Sequence, residues 1–550
     1  MAIETYKGHV ENFLHWAQTT PKNIYLRQPK GSSFKDYSYE QSAEEVSKMG
    51  AYLQRNFIDD KKHVGILSRN CAHWILADLA ISYAGGISVP FYPTLSAEQF
   101  KSVYEHSDCK ILFVGKLDNW EQIKLVIPND TVVIHMSDQA NELTNTWEQI
   151  ILKERKINKV HRFQEDDVVS IIYTSGTTGS PKGVMISAKS ILIALEAARE
   201  IAYLDDRNNR FISYLPLCHV AERNFVEFAG TACGGTIYFV ENLQTFAANL
   251  KSASPTHFLA VPRIWLKFQE GILSKFGGNK GFEKLRKTPI LGKFIVQLII
   301  KKLGLSKAKL LITGAAPISP ELLQWYQQLG LSIQEAYGMT ENLGLTSVMP
   351  KNQIQLGTVG KVWPICEVRI QEGEIQMRSA YITKGYYKEP VLTKQLFDNE
   401  WLKTGDAGTL DENGYLKITG RLKENFKTSK GFYVSPATIE THIQNHSLID
   451  QVCVVGANLP EPMALVVLKP ESSDLEKDLI EEQLEEIFQL LKPHFKHYEM
   501  IKKIVVIREP WTVENNCMTP TLKIRRAEIE RIYERYFGDW FKARNKIIYY

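Results

Sequence analysis

Short apolar runs alternate with amphipathic stretches through the first four-fifths of the chain. Val64–Leu67 predicts a strand, Cys71–Tyr83 a helix that Gly85 and Gly86 stop, Ile87–Tyr92 a second strand and Ile111–Val114 a third. Such alternation predicts a mainly parallel sheet with helices on both faces. Leu310–Thr313 reads as a further strand, followed by the loop Gly314-Ala315-Ala316-Pro317. Ser319 can cap the next helix, Pro320 opens it and Gly330 ends it. Leu331–Gln334 is the next expected strand, with Ala336–Glu341 as the loop beyond. A right-handed crossover brings both loops to one edge of the sheet, where open α/β sheets bind ligands.

The pattern changes near Gly420-Arg421. Arg421–Lys430 is dense in lysine and poor in large apolar residues. After it come the short strands Val452–Val455, Ala464–Leu468 and Ile504–Ile507, with the acidic helix Leu475–Leu491 among them. The expected architecture is α/β: a large N-terminal domain (1–420) of mainly parallel sheets flanked by helices, and a small mobile C-terminal α+β domain (421–550). The expected hinge lies at about 421–423.

Composition narrows the class. The chain has 550 residues, 44% hydrophobic and 23% charged, an ordinary globular balance. A net charge of +4 is too weak to point to nucleic acid. No two of the seven cysteines stand at CxxC spacing, so neither a zinc site nor a disulfide framework is indicated and a reducing cytoplasm is expected. Met1–Trp16 lacks the apolar region of a signal peptide, and no apolar run reaches the ~20 residues that span a bilayer.

The chemistry is concentrated in a few segments. Behind the apolar run Val168–Tyr173, the stretch Tyr173–Gly183 reads Tyr-Thr-Ser-Gly-Thr-Thr-Gly-Ser-Pro-Lys-Gly. Its three glycines let backbone approach an anion. Its five hydroxyls and backbone N–H groups donate to phosphate oxygens, and Lys182 adds charge. The spacing is not that of a Walker A loop. Tyr337 offers a ring for a base to stack on, and Glu341 offers oxygen to a hard cation. A core tyrosine and a capping glutamate are the bland alternatives. Asp406 can accept from two ribose hydroxyls, and Arg421 is a forked donor for ribose or phosphate.

These segments, in this order, resemble the adenylate-forming superfamily of acyl-CoA synthetases, peptide-synthetase adenylation domains and luciferases. The resemblance implies ATP, Mg²⁺ and CoA as cofactors. It implies that Thr174, Ser175, Gly176, Thr177, Thr178, Gly179 and Lys182 hold phosphate, with Thr177 and Glu341 as metal ligands. Gly314, Ala315, Ala316 and Pro317 would border adenine, as would Glu335, Ala336, Tyr337 and Gly338. Thr340 would lie near the α-phosphate, Asp406 and Arg421 would hold the ribose, and Lys423 matches the hinge residue. Lys523, in Thr-Pro-Thr-Leu-Lys, matches the lysine that reaches into the site from the small domain.

Three segments are similar to the long-chain fatty acid–CoA ligase branch: Leu215–Arg223, Val261–Trp265 and Lys427–Tyr433. By that resemblance His219 lies near the carboxylate and phosphate, Trp265 gates the acyl tunnel, and the loop with Gly431 borders the CoA path. His219, Trp265 and Lys523 also read as core histidine, core tryptophan and basic helix start. The implied reaction is activation of a carboxylic acid, a long-chain fatty acid above all, as an acyl-adenylate followed by transfer to CoA. The rivals are loading of a carrier protein, an aryl- or short-acid CoA ligase, and a silent acyl or nucleotide sensor. Pro289–Leu305 puts Lys293, Gln297 and Lys301 on one helical stripe, with Phe294, Ile295, Val296, Leu298, Ile299 and Ile300 elsewhere. That pattern is read either as interfacial binding, with a cytoplasmic protein held at a membrane surface, or as a helix packed into the large domain.

Overall fold

The computed structural model describes residues 7–31, 33–57, 62–136, 145–157, 159–174, 181–206, 208–519 and 523–550. Two large sheets with parallel centres form the N-terminal part. The first runs in the order Val132–His135, Ile111–Val114, His63–Leu67, Ile87–Phe91, Val168–Thr174, Lys182–Ser187. Only its last strand is antiparallel to its neighbour. The second has nine strands, of which six adjacent ones, from Ile333–Tyr337 across to Ile24–Lys30, are parallel. Antiparallel strands close both of its edges.

The helix Ala72–Ala84 is mostly apolar and buries every residue but His73, Asp78 included. It touches strands of both large sheets, which is the position such a helix requires.

The strand expected to end at Gln334 runs on to Tyr337. Ser347–Val348 pairs with Ala336 and Tyr337 in antiparallel register and extends it. Ala336 and Tyr337 are therefore sheet residues, not loop residues. A five-stranded antiparallel sheet, built on Trp401–Leu410 and Leu416–Arg421, goes beyond the expected βαβ pattern. Its outer strand Glu367–Gln371 is half-exposed and charged, so it has no apolar run to announce it.

The small C-terminal domain is a four-stranded sheet covered on both faces. Val452, Val454, Ala464 and Val466 pack against the helices Pro436–Ile443 and Lys477–Leu491. The alternate residues Cys453, Val455, Leu465 and Val467 pack against Arg526–Lys542. The period of two along these strands thus fills two cores. No helix among the described residues is long and apolar enough to cross a membrane.

A buried ionic cluster joins four elements: the helices His9–Thr19 and Ala72–Ala84, the strand Val168–Thr174 and the helical segment Arg223–Phe228. Arg223 pairs with Asp78, lies 3.2 Å from Glu227 and donates to the Ser170 hydroxyl at 2.5 Å. Ser170 belongs to the strand that leads into the hydroxyl-rich segment. His9, from the first helix, approaches Asp78 and Glu227 at 3.9 and 3.7 Å. Burial pushes the His9 imidazole down to about 4 and raises Glu227; burial also opposes ionisation of Asp78, yet Arg223 holds it below the usual carboxylate range. Removing one member strands the others without compensation. Arg223→Leu is expected to cost ~3–5 kcal/mol in urea unfolding. Arg531→Leu, which breaks a 3.0 Å surface pair with Glu528, is expected to cost less than ~1 kcal/mol. Equal losses would contradict the role given to the cluster.

Candidate active site

Asp406 is fixed by its strand. The Thr404 hydroxyl donates to the Ile375 carbonyl at 2.6 Å and accepts from the Asp406 N–H at 3.1 Å. Asp406 lies opposite Arg421 in the antiparallel register, and Arg421 Nε sits 2.8 Å from Oδ1. Tyr337 OH donates to Oδ2 at 2.5 Å. The end of the nine-stranded sheet is thereby tied to the five-stranded sheet through one carboxylate. Burial raises the Asp406 carboxyl, against the opposing pull of Arg421, Tyr337 and Lys523.

Beyond Tyr337 the chain folds back on itself. A Cβ on Gly338 would stand 2.1 Å from the Gly344 carbonyl carbon, so only glycine fits there. The tight turn Thr340–Asn342 then buries both Thr340 and Glu341. Tyr386 OH donates to Glu341 Oε1 at 2.7 Å, and the Lys182 ammonium lies 5.7 Å from the centre of the Tyr386 ring. Burial raises the Glu341 carboxyl, with Arg421 and Lys182 among the groups opposing the shift. Sequence reasoning missed Tyr386. Its segment is brought here by backbone pairing with Gly183–Met185, from Met185 N–H to Gly385 O and from Tyr387 N–H to Gly183 O, and no motif surrounds it.

Thr174 and Lys182 face each other across an antiparallel pair of strands. Ser175, Gly176, Thr177, Thr178 and Gly179, expected to hold phosphate, lie outside the described residues. Gly314 is buried against the other strand end, where a Cβ would come within 2.8 Å of the Ala336 carbonyl oxygen. Ala315, Ala316 and Pro317 remain exposed, and Ala315 holds φ +66°. Glu335 is buried beneath this loop's neighbour strand, and burial pushes its carboxyl up to about 8.

The C-terminal domain contributes Lys523. Met518 and Ile524 form an isolated antiparallel bridge, the Thr519 hydroxyl accepts from Lys523 N–H at 3.1 Å, and Thr519 N–H donates to Lys523 O at 2.8 Å. The lysine is thus tied through its backbone to Thr519. It retains solvent access, yet the surrounding protein mass and the Arg421 cation lower its ammonium, while Asp406 and Glu424 oppose this. The charge of Lys523 also reaches His219, whose Nδ1 accepts from the Ala221 N–H at 3.3 Å. Burial and the charge of Lys523 push His219 down to about 4. The neighbouring Glu222 accepts from Tyr214 N–H at 2.8 Å, and burial pushes it up to about 8.

Tyr337, Glu341, Asp406, Arg421, Lys182, His219 and Lys523 therefore act on one another. Three expected residues stand apart. Trp265 is fully buried, packs against Phe258 and Tyr326, and donates to the Ala260 carbonyl at 3.2 Å, the surroundings of a core side chain. Lys423 is exposed, and Gly431 lies in the small hairpin of the C-terminal domain with φ +88°.

Residues 13–387 match the AMP-binding enzyme family, and residues 425–544 match the AMP-binding enzyme C-terminal domain. The chain belongs to the AMP-binding enzyme family, whose class here is that of the adenylate-forming acyl-CoA ligases. It is 27% identical to long chain acyl-CoA synthetase 1 of Arabidopsis thaliana, over 92% of this chain and 87% of that protein. It is also 27% identical to the long-chain-fatty-acid–CoA ligase FadD15 of Mycobacterium bovis, over 86% and 88% of the two chains. In fold it is similar to the anthranilate CoA ligase AuaEII in complex with anthranoyl-AMP, with a TM-score of 0.79 at 19% identity over 96% and 98% of the chains. The adenylation domain of the carboxylic acid reductase from Segniliparus rugosus is equally similar, with a TM-score of 0.79 at 19% identity over 97% and 94%.

The pairing of Lys523 with His219 has a direct consequence. NMR of the imidazole nitrogens should find His219 neutral down to about pH 4. Lys523→Ala, by removing a cation, should raise that pKa. An imidazole that titrates near its ordinary value and ignores the substitution would contradict the arrangement.

Proposed function

We propose that this protein activates a long-chain fatty acid with ATP as an acyl-adenylate and passes the acyl group to CoA. The observation that carries the reading is that the charge of Lys523, from the C-terminal domain, acts on both His219 and Asp406, while Tyr337 and Arg421 hold Asp406 directly. A carboxylate and ATP repel each other, and cations fixed in a partly desiccated cleft offset that repulsion.

In this reading Tyr337 stacks on adenine and Asp406 exchanges its present partners for the ribose hydroxyls. Thr174, Ser175, Gly176, Thr177, Thr178, Gly179 and Lys182 hold phosphate oxygens. Glu341 and Thr177 would hold Mg²⁺. A buried carboxylate whose ionisation burial disfavours fits a hard divalent cation, which would supply charge neutralisation of the phosphates. Lys523 steers the substrate carboxylate and stabilises charge as its oxygen bonds to the α-phosphorus and pyrophosphate leaves. A fixed cation of this kind contributes ~3–4 kcal/mol, or ~10²–10³-fold in rate. His219, neutral at working pH, can donate or accept a hydrogen bond at the carboxylate without adding charge.

The CoA sulfur then bonds to the acyl carbon, AMP leaves, and the thiol proton is released to solvent. Lys523 has no part in that step. A C-terminal domain taken as residues 421–550 can therefore turn about 421–423, where Lys423 is exposed and free to move. The loop bearing Gly431 would then line the path of CoA. The long-chain preference is supported by the Leu215–Arg223 and Lys427–Tyr433 segments and by the two synthetases named above.

AMP release across straight-chain acids from acetate to stearate, with benzoate, tests the substrate class. The expected result is acid-dependent AMP, sustained turnover only with CoA, and at least ~tenfold higher kcat/KM for palmitate than for butyrate, since buried methylenes contribute ~0.8 kcal/mol each. A maximum at benzoate or acetate would remove the long-chain reading. Sustained turnover with a carrier protein instead of CoA would replace the acceptor.

A further inference from the structure

The helix Leu291–Lys302 packs one apolar face into the large domain and leaves another apolar face open. Ile299 is buried, and Ile295, Val296 and Ile300 pack on the core. The opposite face carries Leu291, Phe294 and Leu298, spaced three and four apart, which are 50%, 62% and 40% exposed. Ile290, just before the helix, is 84% exposed. These four side chains make one apolar ridge on the surface.

The backbone holds the ridge's tip outward at a cost. Ile290 has φ +62° and ψ −59°, and Leu291 N–H donates to the Pro289 carbonyl at 2.6 Å. This is a γ-turn of the strained sense, a conformation that β-branched residues avoid. Strain of this kind collects at sites that bind something.

The charge around the ridge is one-sided. Residues 280–302 hold seven cations, Lys280, Lys284, Arg286, Lys287, Lys293, Lys301 and Lys302, against the single carboxylate of Glu283, whereas the whole chain is only +4. Glu283 is already paired with Arg286 at 2.7 Å and with Lys287 at 3.6 Å. Lys280, Lys284, Lys293, Lys301 and Lys302 have no acidic partner among the described residues.

We propose that this ridge docks on an anionic lipid bilayer. Phe294, Leu298, Leu291 and Ile290 enter the interface between headgroups and acyl chains, and the lysines meet the lipid phosphates. An apolar face rimmed by cations, on a helix of 12 residues that cannot span, lies in the plane of the surface. A protein partner would need acidic groups matched one by one, whereas a fluid anionic surface neutralises scattered lysines without that match. The inference stands on this surface alone and is read by binding. Its failure and the failure of the proposed ligase activity are separate results.

Flotation of the full chain with vesicles is the test, using pure phosphatidylcholine and a 3:1 mixture of phosphatidylcholine and phosphatidylglycerol. The wild type should float with the anionic vesicles, sink with the neutral ones and be released in 0.5 M NaCl. Phe294→Glu/Leu298→Glu should lower anionic-vesicle binding at least tenfold, with unchanged AMP release from a soluble acid showing that the fold is intact. Lys280→Glu/Lys284→Glu/Lys293→Glu should abolish it. A wild type that sinks with both vesicles would overturn the proposal. So would binding that ignores lipid charge and both sets of substitutions, or ultracentrifugation showing the ridge buried between two copies of the chain.

Discussion

Asp406 is the constraint on which the rest of the site depends. One buried carboxylate accepts from Tyr337, pairs with Arg421 and feels Lys523. These partners come from three different units: the parallel nine-stranded sheet, the antiparallel five-stranded sheet and the C-terminal domain. A carboxylate that burial discourages from ionising stays charged only while cations surround it. The three units are thus held to one arrangement by electrostatics as much as by packing.

Behind this surface cluster lies a second, deeper one. Arg223 ties the strand that leads into the hydroxyl-rich segment to the stretch that carries His219 four residues before it. His9 links the N-terminal helix to the same group. Elements distant in sequence are therefore registered against one another below the site, which leaves its upper surface free for binding. Two ion pairs also bridge the C-terminal domain to the helix Pro262–Leu273: Lys469 lies 2.5 Å from Glu270, and Arg263 pairs with Asp450. All four side chains are partly exposed, so these contacts add little to the attachment of the domain.

The parallel core was legible because buried strands and amphipathic helices write apolar runs into the sequence. Ile111–Val114 and Leu310–Thr313 are strands with the expected bounds. The antiparallel sheet that carries Asp406 was not legible, since its strands Glu367–Gln371, Glu374–Arg378 and Trp401–Leu410 mix charged and apolar residues and carry no continuous apolar run. Tyr337 showed itself as a ring beside a glycine. Its extension of a strand did not, because that depends on pairing with Ser347–Val348 across an intervening turn. Tyr386 had no local signature at all and reaches Glu341 only through the fold. Pattern also could not divide the Leu291–Lys302 helix into its packed and open faces, since both are apolar.

The central claim is that Lys523 acts in the first chemical step and not in the second. The direct measurement separates those steps for Lys523→Ala: acid-dependent exchange of pyrophosphate into ATP, and thioester formation from supplied acyl-adenylate and CoA. The account predicts a loss of ~10²–10³-fold in exchange with thioester formation within a few-fold of wild type. Exchange at the wild-type rate, or equal losses in both steps, would contradict it.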